Sequence, residues 1–223
     1  VYGLQDVDII AGLGERFSIP PLEQEDILNT DQRPKISGNP ENLTIFLKIL
    51  EFRQQTLQVG GDHLSIVIGE NFVITFQERV AGYFEPVRER IRNKKGRIRM
   101  RGPDYLAYAL IDTLIDNYMN TIESFGDILE KMEEEVLRQT HKETLEKIYK
   151  LKTNVSFIRK AVLPLKDIIL QMNKTEHALI DRKTMTFLKD LHDLTVQAAE
   201  ATEIYYSMAN DYLNIYHTNV SNR

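Results

Sequence analysis

The chain has no cysteine and no tryptophan among its 223 residues. Without cysteine, a disulfide framework, a thiol nucleophile and any thiolate-bound zinc or iron–sulfur site are excluded, and a reducing compartment is expected. Long apolar runs are also missing, because no stretch approaches about 18 apolar residues, and residues 1–8 lack the basic start and apolar run of a signal peptide. The sequence therefore predicts a folded chain with no membrane span of its own.

Motifs typical of enzymes are missing as well. The chain contains no phosphate-binding P-loop and no nucleophile elbow, and Gly12-Leu13-Gly14 lacks the third glycine of a dinucleotide fingerprint. The histidines are scattered without metal-ligand spacing: His63, His141, His177, His192 and His217. We therefore expect no catalytic residues and no histidine metal site, and predict that the protein is not an enzyme.

The composition is that of an ordinary globular protein, with 42% hydrophobic and 27% charged residues. The net charge of -5 argues against general nucleic-acid affinity and makes cations the natural partners of any clustered acidic surface.

The first part of the chain predicts a layered α+β domain, residues 1–103. One short helix is expected around residues 7–13, closed by Gly14, and another follows the prolines at positions 20 and 21. Residues 44–50 are rich in β-formers, and residues 64–68 and 72–76 are spaced as a hairpin. Alternation of strands and helices favours a sheet covered by helices over a barrel or sandwich.

Residues 104–223 predict long helices. Apolar residues recur at steps of four and three over residues 111–136, 148–172 and 188–216, which is a heptad pattern. A break near residues 139–142 predicts that the first two helices are antiparallel neighbours, and Pro164 should kink the second. The third should run from about residue 184 to 217, roughly 50 Å.

Small residues occupy the stripe of the third helix where Leu or Ile would be usual, and we expect them to face symmetry mates in a homo-oligomer: Thr195, Ala198, Thr202 and Ala209. From residue 190 to 222 the helix has no Lys or Arg. Its unpaired carboxylates should repel one another unless cations screen them: Asp190, Asp193, Glu200, Glu203 and Asp211. The alternative is a solvated acidic face on a monomer.

Other carboxylates are paired along the sequence. Glu25 and Asp26 are adjacent, and Asp112 and Asp116 lie four residues apart on one helix. With Asp190 they offer oxygen ligands only, which Mg²⁺ or Ca²⁺ prefers and zinc or copper does not.

A basic cluster follows, with eight positive charges in residues 88–101. It could bind phosphates. We favour a surface that forms salt bridges with acidic segments such as residues 130–135, since the cluster contains no stacking aromatic residues and the whole chain is acidic.

Several segments together resemble a known family. They are LEQEDILN at residues 22–29, QRPK at 32–35, FEPVRERIR at 84–92, LID at 110–112 and the ending at 216–223. Over essentially its whole length the chain resembles the cytosolic part of CorA-type magnesium channels. The resemblance implies an α/β/α domain with a long stalk helix, five protomers about an axis, and a stalk continuing into a first transmembrane helix, so the chain is expected to be part of a longer protein.

The resemblance also implies roles for individual residues. Asp26 matches the α/β-domain ligand of a regulatory divalent cation, and Asp190 matches the stalk ligand of the adjoining subunit, while Glu25 and Asp112 match a second nearby position. The chain is thus predicted to be a Mg²⁺-sensing domain of a pentameric Mg²⁺ (and Co²⁺ or Ni²⁺) channel at the cytoplasmic face of the membrane, binding no nucleic acid. A soluble coiled-coil scaffold and a zinc-transporting relative are the alternatives, because the pore signature Gly-Met-Asn lies outside this sequence.

Overall fold

A computed structural model describes residues 1–138, 141–174 and 177–221. Two short helices come first, then four strands, a 3₁₀ turn, a third short helix and three long helices. Their bounds are α1 Val7–Arg16, α2 Pro21–Leu28, β1 Lys35–Gly38, β2 Asn42–Arg53, β3 Gln58–Gly69, β4 Val73–Gln77, the 3₁₀ turn Gly82–Phe84, α3 Glu85–Arg92, α4 Pro103–Arg138, α5 Lys142–Lys174 and α6 Arg182–Ser221. The expected α+β class, with a helix-covered sheet and long helices, is confirmed.

The strands form one antiparallel sheet in the order β1-β2-β3-β4. The predicted hairpin of β3 and β4 is present. Both β2 and β3 are longer than expected, and β1 was not predicted, because its four residues, KISG, carry little β-propensity.

Alternating side chains give the sheet two packed faces. Ile45, Leu47 and Ile49 belong to the large core shared with α4, α5 and α6. Phe46, between them in sequence, points the other way and packs in a smaller core that includes Ile27 of α2. The result is three layers, with α1 and α2 on one side of the sheet and the long helices on the other. The predicted domain boundary at residue 103 coincides with the start of α4. The large core contains residues from both sides of this boundary, and the division into two domains remains a prediction.

Helix α6 packs along both α4 and α5, whereas α4 and α5 make few contacts with each other. At their tips Lys147 of α5 donates to Glu135 of α4 at 2.9 Å. Residues 139 and 140 of the expected break lie outside the described residues. Helix α5 continues through Pro164, and α6 has 40 residues, a length of roughly 60 Å.

The small residues of α6 face the chain's own core, so the prediction that they face symmetry mates is wrong. Thr195, Ala198 and Thr202 are each 1% exposed, and Ala209 is fully buried. The threonine hydroxyls donate to carbonyls one turn earlier in α6, which satisfies them without a partner helix. Small side chains at these positions let α6 approach α4 and α5 closely, and a homo-oligomer would need another surface.

Candidate divalent-cation site

Helix α2, in the layer of short helices on one side of the sheet, carries one pair of predicted ligands. Pro21 starts the helix at the position that proline favours, and Glu25 and Asp26 fall in its last turn. Glu25 is exposed, whereas the side chain of Asp26 is 25% exposed and accepts from Lys35 Nζ at 2.6 Å. One predicted ligand is therefore already engaged by a cationic side chain of the same chain.

The second pair lies on the long helices. Asp112 of α4 is partly buried, and burial and then the charge of Asp116 raise its pKa, while Arg90 opposes the rise. Asp190 of α6 is exposed. Both carboxylates act on Tyr108, whose pKa rises to about 12, mainly through burial and then through Asp112. Helices α4 and α6 thus bring Asp112 and Asp190 to the same neighbourhood.

The two pairs do not combine into one centre within a chain. Among the described residues, no group of three or more His, Asp or Glu side chains is placed to hold a metal ion. The donor set fits a hard divalent cation in its chemistry, because every candidate atom is a carboxylate oxygen. Burial first, and then the charge of Asp116, raise the pKa of Asp112 despite the nearby Arg90. Within the described part of one chain, neither pair of predicted ligands is therefore a complete metal site.

The acidic face of α6 is confirmed with one correction. Glu203 is not unpaired, since Arg159 of α5 donates to it and also stacks over the ring of Tyr206 at 4.9 Å. The other four acidic residues are exposed and form no salt bridge with Lys or Arg in the part of the chain that the structure describes: Asp190, Asp193, Glu200 and Asp211. Exposed apolar residues lie among them on α6, namely Leu194 and Ile204.

The basic cluster forms its salt bridges locally. Arg88 and Arg92 both pair with Glu85 of the same helix, α3. Glu135, in the acidic segment expected to face the cluster, pairs with Lys147 instead. Sequence reasoning also missed that Arg90 of this cluster lies close enough to act on Asp112.

Lys35 is the side chain at the candidate site that sequence reasoning missed. The residue was noted only as part of a family motif, and no spacing rule links it to Asp26 nine positions earlier. Their contact depends on β1, which the local sequence did not predict.

None of the helices in residues 1–138, 141–174 and 177–221 carries an apolar stretch that could cross a bilayer.

The architecture, an α/β sheet unit followed by long helices, has counterparts among solved structures. The soluble domain of CorA from Methanocaldococcus jannaschii superposes with a TM-score of 0.80 over 95% of this chain and 84% of that one, at 18% identity. The cytoplasmic domain of ZntB from Vibrio parahaemolyticus superposes with a TM-score of 0.79 over 100% and 87%, at 14% identity. At such identities the likeness shows the fold.

The sequence comparison identifies the family. Residues 5–223 match the profile of the family described as CorA-like Mg²⁺ transporter protein, and the chain belongs to that family. It is 35% identical over 223 residues to the cobalt/magnesium transport protein CorA of Thermotoga maritima, covering 100% of this chain and 64% of the relative. It is 20% identical over 204 residues to the protein of the same name from Methanocaldococcus jannaschii, covering 91% and 63%. The chain thus spans somewhat less than two thirds of these relatives.

Proposed function

We propose that this chain is the divalent-cation-sensing regulatory part of a homo-oligomeric Mg²⁺ channel and works at the cytoplasmic face of the membrane, not as an enzyme. The observation that supports this most is the division of the four carboxylates. Glu25 and Asp26 lie on the α/β layer, Asp112 and Asp190 lie on the long helices, and neither pair is complete within one chain. A second copy can complete a site only if the α2 surface of one protomer meets the α6 surface of the next.

The surface of α6 supports such an assembly. Ile204 is 58% exposed and Leu194 is 36% exposed, on a helix whose buried side already packs against α4 and α5. These two apolar residues, exposed on an otherwise acidic helix, add to the surface that self-association through that face would cover. The resemblance to CorA-type channels supports five copies about one axis.

The proposed regulation follows from charge. Asp26 of one protomer and Asp190 of the next share a bound Mg²⁺, with Glu25 and Asp112 beside them. A bound divalent cation supplies the positive charge that lets these carboxylates face each other. When the ion leaves, the carboxylates repel, the contact between protomers loosens, and the α6 helices are free to move. The fraction of assemblies with tightly associated protomers thus rises with the Mg²⁺ concentration.

Thermal unfolding tests the proposal. Because Mg²⁺ would bind the assembled folded state and not the unfolded chain, a hundredfold excess over the dissociation constant should add about 2.7 kcal/mol of stability. Ionic strength must be matched with a monovalent salt. An unchanged midpoint across millimolar Mg²⁺ would contradict the proposal.

Two variants of α6 separate ligation from charge screening. Asp190→Asn and Asp193→Asn remove the same charge from neighbouring positions of one exposed helix face. A specific site predicts that the Mg²⁺-dependent rise in midpoint is lost in Asp190→Asn and retained in Asp193→Asn. Equal losses would favour general screening of an acidic helix, as in a coiled-coil scaffold.

The zinc-transporting alternative can be tested in the same assay. The donor set contains carboxylates, and Zn²⁺ prefers sites with nitrogen or sulfur donors, so Mg²⁺ is favoured here. A rise in midpoint with Zn²⁺ but not with Mg²⁺ would reverse this assignment.

A further inference from the structure

The carboxylate of Asp26 is occupied on both of its oxygens by groups of the same chain. Lys35 Nζ lies 2.6 Å from Oδ2. In the amide orientation that satisfies its neighbours, Gln32 donates to Oδ1 at 3.1 Å and accepts from Lys35 Nζ at 3.1 Å. Asp26, Lys35 and Gln32 therefore form a closed triangle of hydrogen bonds, and this triangle already supplies the positive charge that the carboxylate requires.

The backbone holds Lys35 in this place. It is the first residue of β1 and is paired with Phe46 of the central strand β2, whose ring is fully buried. The ammonium group lies 5.3 Å from the centre of that ring, a cation–π distance. Pro34 directly precedes the strand and is itself buried, which restricts the entry to β1. The side chain of Lys35 is 40% exposed, and its contacts with Asp26, Gln32 and the ring of Phe46 hold it in this position.

A divalent cation that binds Asp26 must meet this ammonium group. Either the ion displaces Lys35 from Oδ2, which breaks a charged hydrogen bond, or the ion and the ammonium share one carboxylate and repel each other. Both routes weaken binding relative to a free aspartate. Both also raise the free cation concentration at which the site becomes half occupied.

We propose that Lys35 is a tethered competitor that holds Asp26 in the ion-free state and sets the divalent-cation concentration at which the regulatory site fills. The inference rests on the proposed function and adds to it what sets the Mg²⁺ concentration at which the regulatory site fills. It also explains how the side chain of Asp26 can be held in one position when no metal is bound, because the chain provides a monovalent substitute.

The test is Mg²⁺ titration of the 223-residue chain by calorimetry, at high protein concentration so that copies can associate. Lys35→Gln removes the ammonium and keeps a polar side chain, and it should bind Mg²⁺ about two- to fivefold more tightly than the native chain. Lys35→Arg keeps the charge and should bind no more tightly than the native chain. Arg33→Gln is the matched control, since it removes one positive charge from the same loop at an exposed residue that forms no salt bridge within the described ranges.

A second readout is independent of the affinity. Without metal, Lys35→Gln leaves Asp26 without its counter-charge, so its thermal midpoint in EDTA should fall below that of the native chain. With saturating Mg²⁺ the order should reverse or the gap should close. A variant that merely damages the fold would keep the same deficit under both conditions.

The outcomes separate this inference from the proposed function. If the native chain binds Mg²⁺ and Lys35→Gln binds it equally or more weakly, the competitor role is overturned while the regulatory site stands. If Arg33→Gln tightens binding as much as Lys35→Gln does, the effect is general charge and the competitor role is again overturned. If no variant binds Mg²⁺, the proposed function fails and this inference fails with it. Tighter Mg²⁺ binding by Lys35→Gln alone supports the competitor role of Lys35 and the proposed regulatory function.

Discussion

The inward direction of the small residues on α6 leads to a sharp prediction at Ala198. This residue is 1% exposed, on the side of α6 that packs against the other long helices. In Ala198→Leu, an isobutyl group replaces a methyl group where no solvent-filled space receives it. Overpacking a well-packed core costs about 1–3 kcal/mol. In a chain of this size each kcal/mol lowers the thermal midpoint by about 2–4 °C, so we expect a fall of about 2–12 °C.

Differential scanning calorimetry measures the fall, and light scattering on the same samples reports particle mass. Thr153→Leu is the control, because Thr153 is exposed on the neighbouring helix α5, away from the acidic face of α6, and can accept the larger side chain without compression. Its midpoint should stay within about 1 °C of the native value, as surface substitutions usually do. If Ala198→Leu left the midpoint unchanged and altered the particle mass, Ala198 would face another protomer, and the intramolecular packing described above would be refuted.

Two further predictions concern a charge and a hydrogen bond. Because the pKa of Asp112 is raised in the folded chain, the unfolded chain loses this proton at lower pH, so ionised Asp112 subtracts from stability as the pH rises through the unfolded pKa. Asp112→Asn should therefore raise the metal-free midpoint at pH 7, have little effect near pH 3, and reduce the gain in midpoint from Mg²⁺. A lower midpoint than the native chain in EDTA at pH 7 would contradict this. Asn154 of α5 accepts from the backbone N–H of Val59 at 3.0 Å and caps the β2–β3 turn. Asn154→Ala should lower the free energy of unfolding by about 1–3 kcal/mol and accelerate amide hydrogen exchange at Val59, and unchanged exchange would show that the cap is dispensable.

The sequence predicts most of the fold because the relevant signals are local. Heptad spacing identifies three long helices, and clusters of β-formers identify β2 and the hairpin of β3 and β4. It fails at β1, which is a strand only because it pairs with β2. It also fails on the direction of the α6 stripe. Periodicity shows that Thr195 and Ala198 share a face, but it does not show whether that face meets the same chain or another.

The candidate site was predicted unevenly for a similar reason. The types and positions of the carboxylates follow from the sequence and the family motifs. The positive charges near them depend on tertiary contacts: Lys35 reaches Asp26 through the entry to β1, and Arg90 lowers the pKa of Asp112 from α3, against the larger effects of burial and Asp116. Contacts between residues far apart in the sequence follow no regular spacing, so the sequence alone does not predict them.

The length of α6 gives it the properties of a lever. The helix contains neither glycine nor proline between Arg182 and Ser221, so it has no built-in point of bending. Near its start, the backbone N–H of Asp181 donates to Asp104 at the beginning of α4 at 2.9 Å, which provides a fulcrum. From Asp181 to Ser221 the helix extends for roughly 60 Å, and a tilt of about 3° around Asp181 would move Asp190 by about 0.7 Å and the far end by about 3 Å. A shift of less than about 1 Å at the carboxylate of Asp190 is thereby multiplied into one as wide as a water molecule at the other end.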